Sequence, residues 1–432
     1  MSALRPESLL HRLPDARRYL VAFSGGCDSL VLLHLMRALR PRLSATLQAA
    51  HVNHGLHPDA SRWAAHCRAV CNAWDIPLIS HTLNLDPGSN LEARAREARY
   101  AALAADLDRE TVLLTAHHAD DQAETVLLRV LRGSGVSGLG GIRRQRGLGE
   151  GRLARPLLDW RRGELQHYAG IHCPHWLDDP ANQDLMRDRN FLRHRIMPPL
   201  RERWTAVERG LVQLADDAAE TDQLLAELAR LDGLKGAASM PLERIQSLPE
   251  HRARNLLRHW IRDQGLPLPG RRRLVSGLQA LCSAATDRAP ELVWPGGRIR
   301  RHRHQLYLDR GGPPPAVPDV VKLAGAEERQ LSCGRLRWQA GGFLAADVLD
   351  TGDVQLRFGA LHTRLVPLGR PAKRLGRLLQ EAGVPPWQRH AWPVLRTPEV
   401  VLAVPGICVC ESPAVTDSPS GLMPLWEPDP GL

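Results

Sequence analysis

Lysine is nearly missing from this 432-residue chain and stands only at 235, 322 and 373. The formal net charge is still +10, with a pI of about 9.7, so arginine supplies almost all the positive charge. Such a balance favours an anionic partner, with nucleic acid ahead of a membrane surface. Compositional drift towards arginine accounts for the bias as well as selection for bidentate phosphate contacts does. The charge therefore names a class of partner and nothing finer.

Other things are missing too. The eight cysteines, at 27, 67, 71, 173, 282, 333, 408 and 410, contain no Cys-x-x-Cys pair, which removes the usual zinc-ribbon and dithiol signatures. Cys67 and Cys71 have helical spacing and are expected to pack on one helix face. A reduced, cytoplasmic protein is the simplest reading. The N-terminal stretch MSALRPESLLHRLPDARRYL has no uninterrupted apolar region, and nowhere do 18 apolar residues run together. Neither secretion nor a membrane partner is expected, and no internal repeat is visible.

What is present is an ordinary globular composition, 43% apolar, over a length that suits two or three domains. Residues 19–133 alternate between two periods. Strands are expected at 19–23, 46–52, 78–83 and 111–116, with helices at 28–39, 59–74, 91–107 and 119–132. Four β-α units in succession predict an α/β domain over 1–205: a parallel sheet with helices on both faces. Ligands of such sheets bind beyond the carboxyl ends of the strands. Residues 24–29, 51–57 and 117–121 all fall there, so three loops should meet in one crevice. The Gly- and Arg-rich stretch 132–152 reads as a mobile basic loop, either a lid or RNA-contacting loop or a plain linker. A mainly helical domain is expected over 206–312, a linker region over 313–350 that begins with the Pro-rich GGPPPAVP, and a small α+β domain over 351–432.

The first loop, Ser24-Gly25-Gly26-Cys27-Asp28-Ser29, follows a strand and opens a helix. Its small residues admit a ligand close to the backbone, the helix start offers N–H groups and a positive dipole end, and Ser24 and Ser29 add hydroxyls. It lacks the Gly-Lys-Ser/Thr ending of loops that bridge β- and γ-phosphates. Such a loop can hold a pyrophosphate and leave the α-phosphorus open, which suits transfer of AMP. The plainer alternative is a β-α turn capped by Asp28.

In TAHHADDQAETVLLRVLRGSG, Asp121 and Glu124 stand three apart on one helix face, where they could hold Mg²⁺ or polarise an amine. Asp120 suits an N-cap. His117 and His118 diverge and are better suited to substrate contact or packing than to a metal. His51, Asn53 and His54 end the second strand, where they could read a base or ribose or form a hydrogen-bond network of their own. In WLDDPANQDLMRDRNFLRHRIMPPL, Asp178, Asp179 and Pro180 favour a turn. Arg187, Arg189, Arg193 and Arg195 then load a helix start with cations, a local cost that an anion, or Asp184 and Asp188, would relieve.

With these segments together the chain resembles the tRNA(Ile)-lysidine synthetases of the PP-loop ATP-pyrophosphatase superfamily. SGGCDS resembles the superfamily loop. HVNHGL, NLEARAREARY, the Asp121 segment, the Arg189 segment, and later RLGRLLQEAGVPPWQRHAWPVL and VLAVPGI narrow it to this family. The resemblance implies the PP-loop fold (adenine nucleotide alpha hydrolase-like). It also implies an ATP-dependent ligase that adenylates the wobble cytidine of the CAU-anticodon isoleucine tRNA at its C2 oxygen and then lets free L-lysine displace AMP. It implies Asp28, Asp121, Glu124 and Arg189 or Arg193 as catalytic residues, and Asp28 as holder of Mg²⁺. Ser24, Gly25, Gly26, Cys27, Asp28, Ser29, His51 and Asn53 fall in its nucleotide site, and a homodimer is allowed.

Two departures stand out. Cys27 occupies a variable loop position as a small hydrophobe. LRFGALHTRLVPLGRPAK lacks the Gly-Gly-Glu character of the family's C-terminal domain, which touches tRNA contacts and leaves the reaction alone. A PP-loop tRNA thiolation enzyme is the alternative, opposed by the missing cysteine pair, and an inactive tRNA-binding protein is opposed by the intact Ser24, Asp28, Asp121 and Glu124.

Overall fold

The computed structural model describes residues 4–429 except 54, 56–57, 84–87, 89–90, 174, 179, 286–287 and 417–418, so the expectations for His54 and Asp179 lie outside the described residues. The chain divides into two compact units, Met1–Leu224 and Leu225–Leu432. No helix among the described residues is long and apolar enough to cross a membrane.

The first unit is built on β1 (Arg18–Ala22), α1 (Cys27–Leu39), β2 (Thr46–Asn53), α2 (Ala60–Ala73), β3 (Leu78–Thr82), α3 (Leu91–Ala105), β4 (Thr111–Leu114) and α4 (Ala119–Leu131). These match the sequence-derived elements to within a few residues. The 132–152 stretch corrects the expectation of a mobile loop. It forms α5 (Val136–Leu139), β5 (Gln145–Leu148) and β6 (Gly151–Ala154). Its glycines serve close packing: a Cβ at Gly151 would lie 2.7 Å from the carbonyl oxygens of both Asp108 and Thr111, and Gly149 turns the hairpin at φ +56°.

The sheet order is β3-β2-β1-β4-β6-β5, parallel throughout except for β5 at the edge. Alternate strand residues feed two cores. Tyr19, Val21 and Val112 pack with α1, α2 and α6 (Arg162–His172) on one face, and Leu20, Leu113 and Leu153 pack with α3 on the other. Strands buried on both faces read as continuous apolar runs, as "YLVAF" does. Because the chain goes from β1 out to β3 and returns to β4 on the other side of β1, the order reverses between β1 and β4. That reversal opens a crevice at their carboxyl ends.

The unit closes with α7 (Asp188–Phe191), a π-helical turn Leu192–Ile196, α8 (Met197–Arg203) and the greater part of the long α9 (Val207–Leu231), whose last residues belong to the second unit.

The second unit holds β7 (Ser239–Pro241), α10 (Leu242–Gln246), α11 (Glu250–Asp263), α12 (Arg271–Ser283), β8 (Glu291–Trp294), β9 (Gly297–His302) and β10 (Gln305–Asp309). The helices were expected; the antiparallel sheet β7-β10-β9-β8 was not. Its central strand hides its pattern, because Arg300 and Arg301 fill buried positions. Arg300 pairs with Asp309 at 2.8 Å, and Arg301 donates to the Leu281 and Ala284 carbonyls. The region read as a linker also carries strands, at Val320–Lys322, Arg329–Leu331 and Gly334–Gly342. The last of these pairs with Gly421–Pro428, so the chain returns to its own end. The 351–432 region carries one helix, α13 (Leu375–Glu381).

Candidate active site

The crevice between β1 and β4 receives the Ser24–Ser29 loop from one side and the start of α4 from the other. The loop is tightly built. Ser24 and Ser29 hydroxyls lie 3.0 Å apart, Ser29 Oγ accepts the Ser24 N–H at 3.2 Å and donates to the Gly26 carbonyl at 3.0 Å, and Leu177 N–H bonds the Gly25 carbonyl at 3.0 Å. The two hydroxyls thus brace the loop. The glycines have different reasons to be there. Gly25 takes φ +84°, and a Cβ on it would meet Leu177 Cδ1 at 2.8 Å and Cys67 Sγ at 3.1 Å. Gly26 has an ordinary φ of −74° as N-cap of α1, and a Cβ there would make only ordinary contacts. Of the two, only Gly26 has room beside it. Asp28, in the first turn of α1, is not the cap.

Asp28 Oδ1 is buried without a hydrogen-bond partner, while Oδ2 lies 3.6 Å from His118 Nε2. His118, 1% exposed, is the N-cap of α4, which moves Asp120 out of that role. Its Nδ1 accepts the Asp121 N–H at 3.4 Å, its own N–H donates to Asp121 Oδ2 at 3.1 Å, and its Nε2 is 3.5 Å from that oxygen. Burial disfavours its protonation, but Asp121, Asp28 and Asp120 outweigh burial and raise its proton affinity. His118 therefore links the loop carboxylate to the α4 carboxylate. Sequence reading treated it as packing or substrate contact; the available signal was its place directly before an acidic first helical turn.

The carboxylates of α4 are not free. Glu124 is fully buried. Its Oε1 pairs with Arg193 Nε at 2.6 Å, and its Oε2 takes Arg189 Nε at 2.8 Å and Arg193 Nη2 at 2.9 Å. Asp121 Oδ1 receives Arg189 at 2.9 Å and Arg193 at 3.2 Å. Burial would raise the Asp121 carboxyl, but His118, Arg189 and Arg193 reverse that and hold it well below the usual carboxylate range. Arg193 sits on the π turn, an unusual geometry that often marks a functional position. The cations of the 187–195 segment are thus relieved chiefly by α4. Within the segment Arg187 meets Asp184 at 3.3 Å, while Asp188 turns to Arg132 at 2.7 Å.

Asp120 has another task. Its carboxylate accepts the Arg162 N–H at 2.8 Å and pairs with Arg201 at 2.5 Å, and Arg201 also holds the buried Glu208. These residues, with Arg161 and Arg193, wall a cavity of about 550 Å³ beside the ion cluster.

The second strand contributes less than expected. His51 is buried, with Nδ1 2.9 Å from the Phe23 carbonyl, and Asn53 Oδ1 accepts the Gly55 N–H at 2.8 Å. Both atoms stabilise the ends of β1 and β2. Cys27 is packed, and burial pushes its thiol up to about 12.

A divalent ion fits one place. Asp28 Oδ1 is a buried carboxylate oxygen with no partner, at the mouth of a loop suited to phosphates, and Mg²⁺ is commonly held by one or two carboxylates plus substrate phosphates. Among the described residues no group of three or more His, Cys, Asp or Glu could hold an ion.

Comparison with known proteins agrees with this geometry. The family model for a PP-loop domain matches residues 3–200, that for the TilS substrate binding domain residues 240–307, and that for the TilS substrate C-terminal domain residues 354–425. A tRNA(Ile)-lysidine synthase of Alkalilimnicola ehrlichii is 43% identical over 419 residues, covering 93% of each chain. That of Methylococcus capsulatus is 39% identical, covering 87% of this chain and 88% of its own. That of Coxiella burnetii is 36% identical, covering 94% and 93%. A solved U34-tRNA thiolase from Methanococcus maripaludis matches half of this chain at 17% identity and a TM-score of 0.42, too loose to bear on function.

Proposed function

Since this chain belongs to the tRNA(Ile)-lysidine synthase family, we propose that it converts the wobble cytidine of the CAU-anticodon isoleucine tRNA to lysidine in two steps within the β1/β4 crevice. In the first, the cytidine C2 oxygen attacks the α-phosphorus of ATP, and the bond to the β-phosphate breaks to release pyrophosphate. In the second, an amino group of lysine attacks C2, the C2–O bond breaks, AMP leaves with that oxygen, and the amine loses a proton. Adenylation turns a poor leaving oxygen into a good one. The observation that carries this reading is the meeting of Asp28 and Asp121 at His118, which brings the phosphate loop and the amine-facing carboxylate into one site.

The residues divide the work by their surroundings. The loop N–H groups and the start of α1 hold the departing pyrophosphate. Asp28 offers its unpartnered oxygen to Mg²⁺, which when bound would neutralise phosphate charge. Asp121, held strongly ionised, is a poor proton acceptor, so its part is to attract the lysine ammonium, not to deprotonate it. Glu124 has both oxygens on arginines and fixes Arg189 and Arg193 as cations facing the AMP phosphate. Sulfur delivery would need a reactive thiolate. In the unit that holds the crevice, burial instead pushes Cys27 and Cys67 up to about 12 and Cys71 and Cys173 up to about 11; the one thiol held below its ordinary value, Cys408, hydrogen-bonded to Cys410, belongs to the second unit. Domains at 206–312 and 351–432 are assigned to gripping the tRNA.

The test is pyrophosphate release from ATP with transcripts of the isoleucine and methionine CAU tRNAs, with and without lysine, followed by nucleoside analysis. Release that ignores the isoleucine transcript, or product without lysine, rejects the reading. Asp28→Ala should abolish adenylation, and wild-type pyrophosphate release in that variant would remove the loop assignment.

A further inference from the structure

A second arginine cluster stands at the carboxyl edge of the same sheet, outside the machinery described above. The guanidinium carbons of Arg96, Arg99 and Arg146 lie 5.2, 5.7 and 5.2 Å from the centre of the Tyr100 ring, and Arg155 is within hydrogen-bonding reach of its phenol. The four come from α3, β5 and the residue after β6, so three elements converge to build it. Among the described residues none of the four pairs with a carboxylate. Arg155 is 7% exposed, and its Nε is buried with no partner. Burial and mutual repulsion weaken the protonation of Arg99 and Arg155, the first of these being the larger cause for both.

Clustered cations without acids raise the energy of the fold, and a bound polyanion lowers it. We propose that Arg96, Arg99, Arg146 and Arg155, gathered around Tyr100, seat backbone phosphates of the RNA strand that carries the reacting cytidine. This rests on the lysidine-forming reading and adds a place where the first unit itself grips its substrate. Two observations favour RNA over the phosphates of ATP. The Ser24–Ser29 loop, to which the lysidine-forming reading gives the ATP phosphates, leads into α1, whereas the cluster lies on the face that α3 covers. Arg155 and Arg96 are also among the charges acting on His117, as are Asp121 and Arg189, so the seat borders the reacting site. A strand passing through the crevice would bring a phosphate to this position.

The test uses the full chain and an in vitro transcript of the CAU-anticodon isoleucine tRNA, without ATP or lysine. Binding is measured from low to moderate NaCl for the wild type, for Arg96→Gln with Arg146→Gln, and for Arg96→Lys with Arg146→Lys; Arg96 and Arg146 are exposed, so the fold should tolerate both pairs. Each lost contact to a single strand should lower the slope of log affinity against log salt by about 0.7, so the glutamine pair should lose about 1.4 and bind roughly tenfold more weakly near physiological salt. The lysine pair should recover most of the slope. ATP affinity, measured separately by equilibrium dialysis, should not change. An unchanged salt slope, or a loss confined to ATP, overturns the seat and leaves the lysidine-forming reading intact. Failure of the wild type to bind the transcript at all overturns both.

Discussion

Two arginine groups occupy one edge of one sheet and have opposite company. Arg189 and Arg193 meet Asp121 and Glu124, and the four charges cancel in pairs. Among the described residues Arg96, Arg99, Arg146 and Arg155 meet no carboxylate: they gather around a phenol, and Arg146 and Arg155 also donate to the Gly147 and Arg143 carbonyls. The first group is finished in that its charges are paired within the chain, so its geometry is set before any ligand arrives; in the proposed reaction that preset geometry meets the lysine ammonium and the AMP phosphate. The second group is unfinished, with no carboxylate among the described residues, and the proposed partner is an RNA phosphate from outside the chain. Counting arginines, as composition does, merges these two uses; pairing separates them.

The largest expected effect comes from opening the finished group. Glu124→Ala would leave Arg189 and Arg193 without their buried acceptor. Breaking a buried pair costs roughly 3–5 kcal/mol, and the partial exposure of Arg189 reduces this to about 2–4 kcal/mol. A thermal melt should fall by roughly 5–15 °C for a unit of this size. Lysine transfer onto a preadenylated transcript should slow by at least about 100-fold, since the loss of a preorganised electrostatic group commonly costs that much. A variant as stable as the wild type would show that the cluster is not held together as described.

A smaller effect sharpens the contrast from the other side. Arg96→Glu would give the unfinished group the acid it lacks. Arg96 is exposed, so the gain in stability should be under about 1 kcal/mol, but its sign is positive, where most surface substitutions are neutral or harmful. Transcript binding should weaken by more than the glutamine change produces, because a repulsion replaces an attraction. A destabilised variant that binds RNA normally would mean that these cations do not strain the fold.

How far the sequence revealed this depends on the kind of signal. The β-α alternation was legible because strands buried on both faces and the helices covering them differ plainly in period. The loop was legible because Ser24, Gly25 and Asp28 stand at a strand end. The edge hairpin at 145–154 was missed because glycine content was read as looseness, when Gly151 is there so that a backbone can lie against Asp108 and Thr111. The sheet around β9 was missed because Arg300 and Arg301 fill buried positions, satisfied by Asp309 on the next strand and by the Leu281 and Ala284 carbonyls, and so break the apolar alternation. At the site, the face shared by Asp121 and Glu124 followed from helical spacing. That their oxygens belong to arginines 65 to 72 residues onward did not, since no local pattern encodes a tertiary ion pair.

His117 and His118 give the smallest and most local test, because adjacent imidazoles report on the two groups. Burial chiefly, with Arg155 and Arg189 assisting against Asp121, pushes His117 down to about 3. His118 is buried too, but Asp121, Asp28 and Asp120 raise it. An unfolded imidazole titrates near ~6.5. Between pH 3 and that value the unfolded chain holds the His117 proton and the folded chain does not, so this residue makes stability climb with pH. Above it the folded chain keeps the His118 proton longer, so stability falls as pH rises through the raised folded value. Each contribution is bounded by about 1.4 kcal/mol per pH unit, the limit for one proton. Urea unfolding across pH 4–9 should therefore show a flatter acid limb for His117→Asn and a flatter alkaline limb for His118→Asn. Both variants altering the same limb would mean that the two side chains share one field, and the separation between a paired and an unpaired arginine group would fail where they come closest.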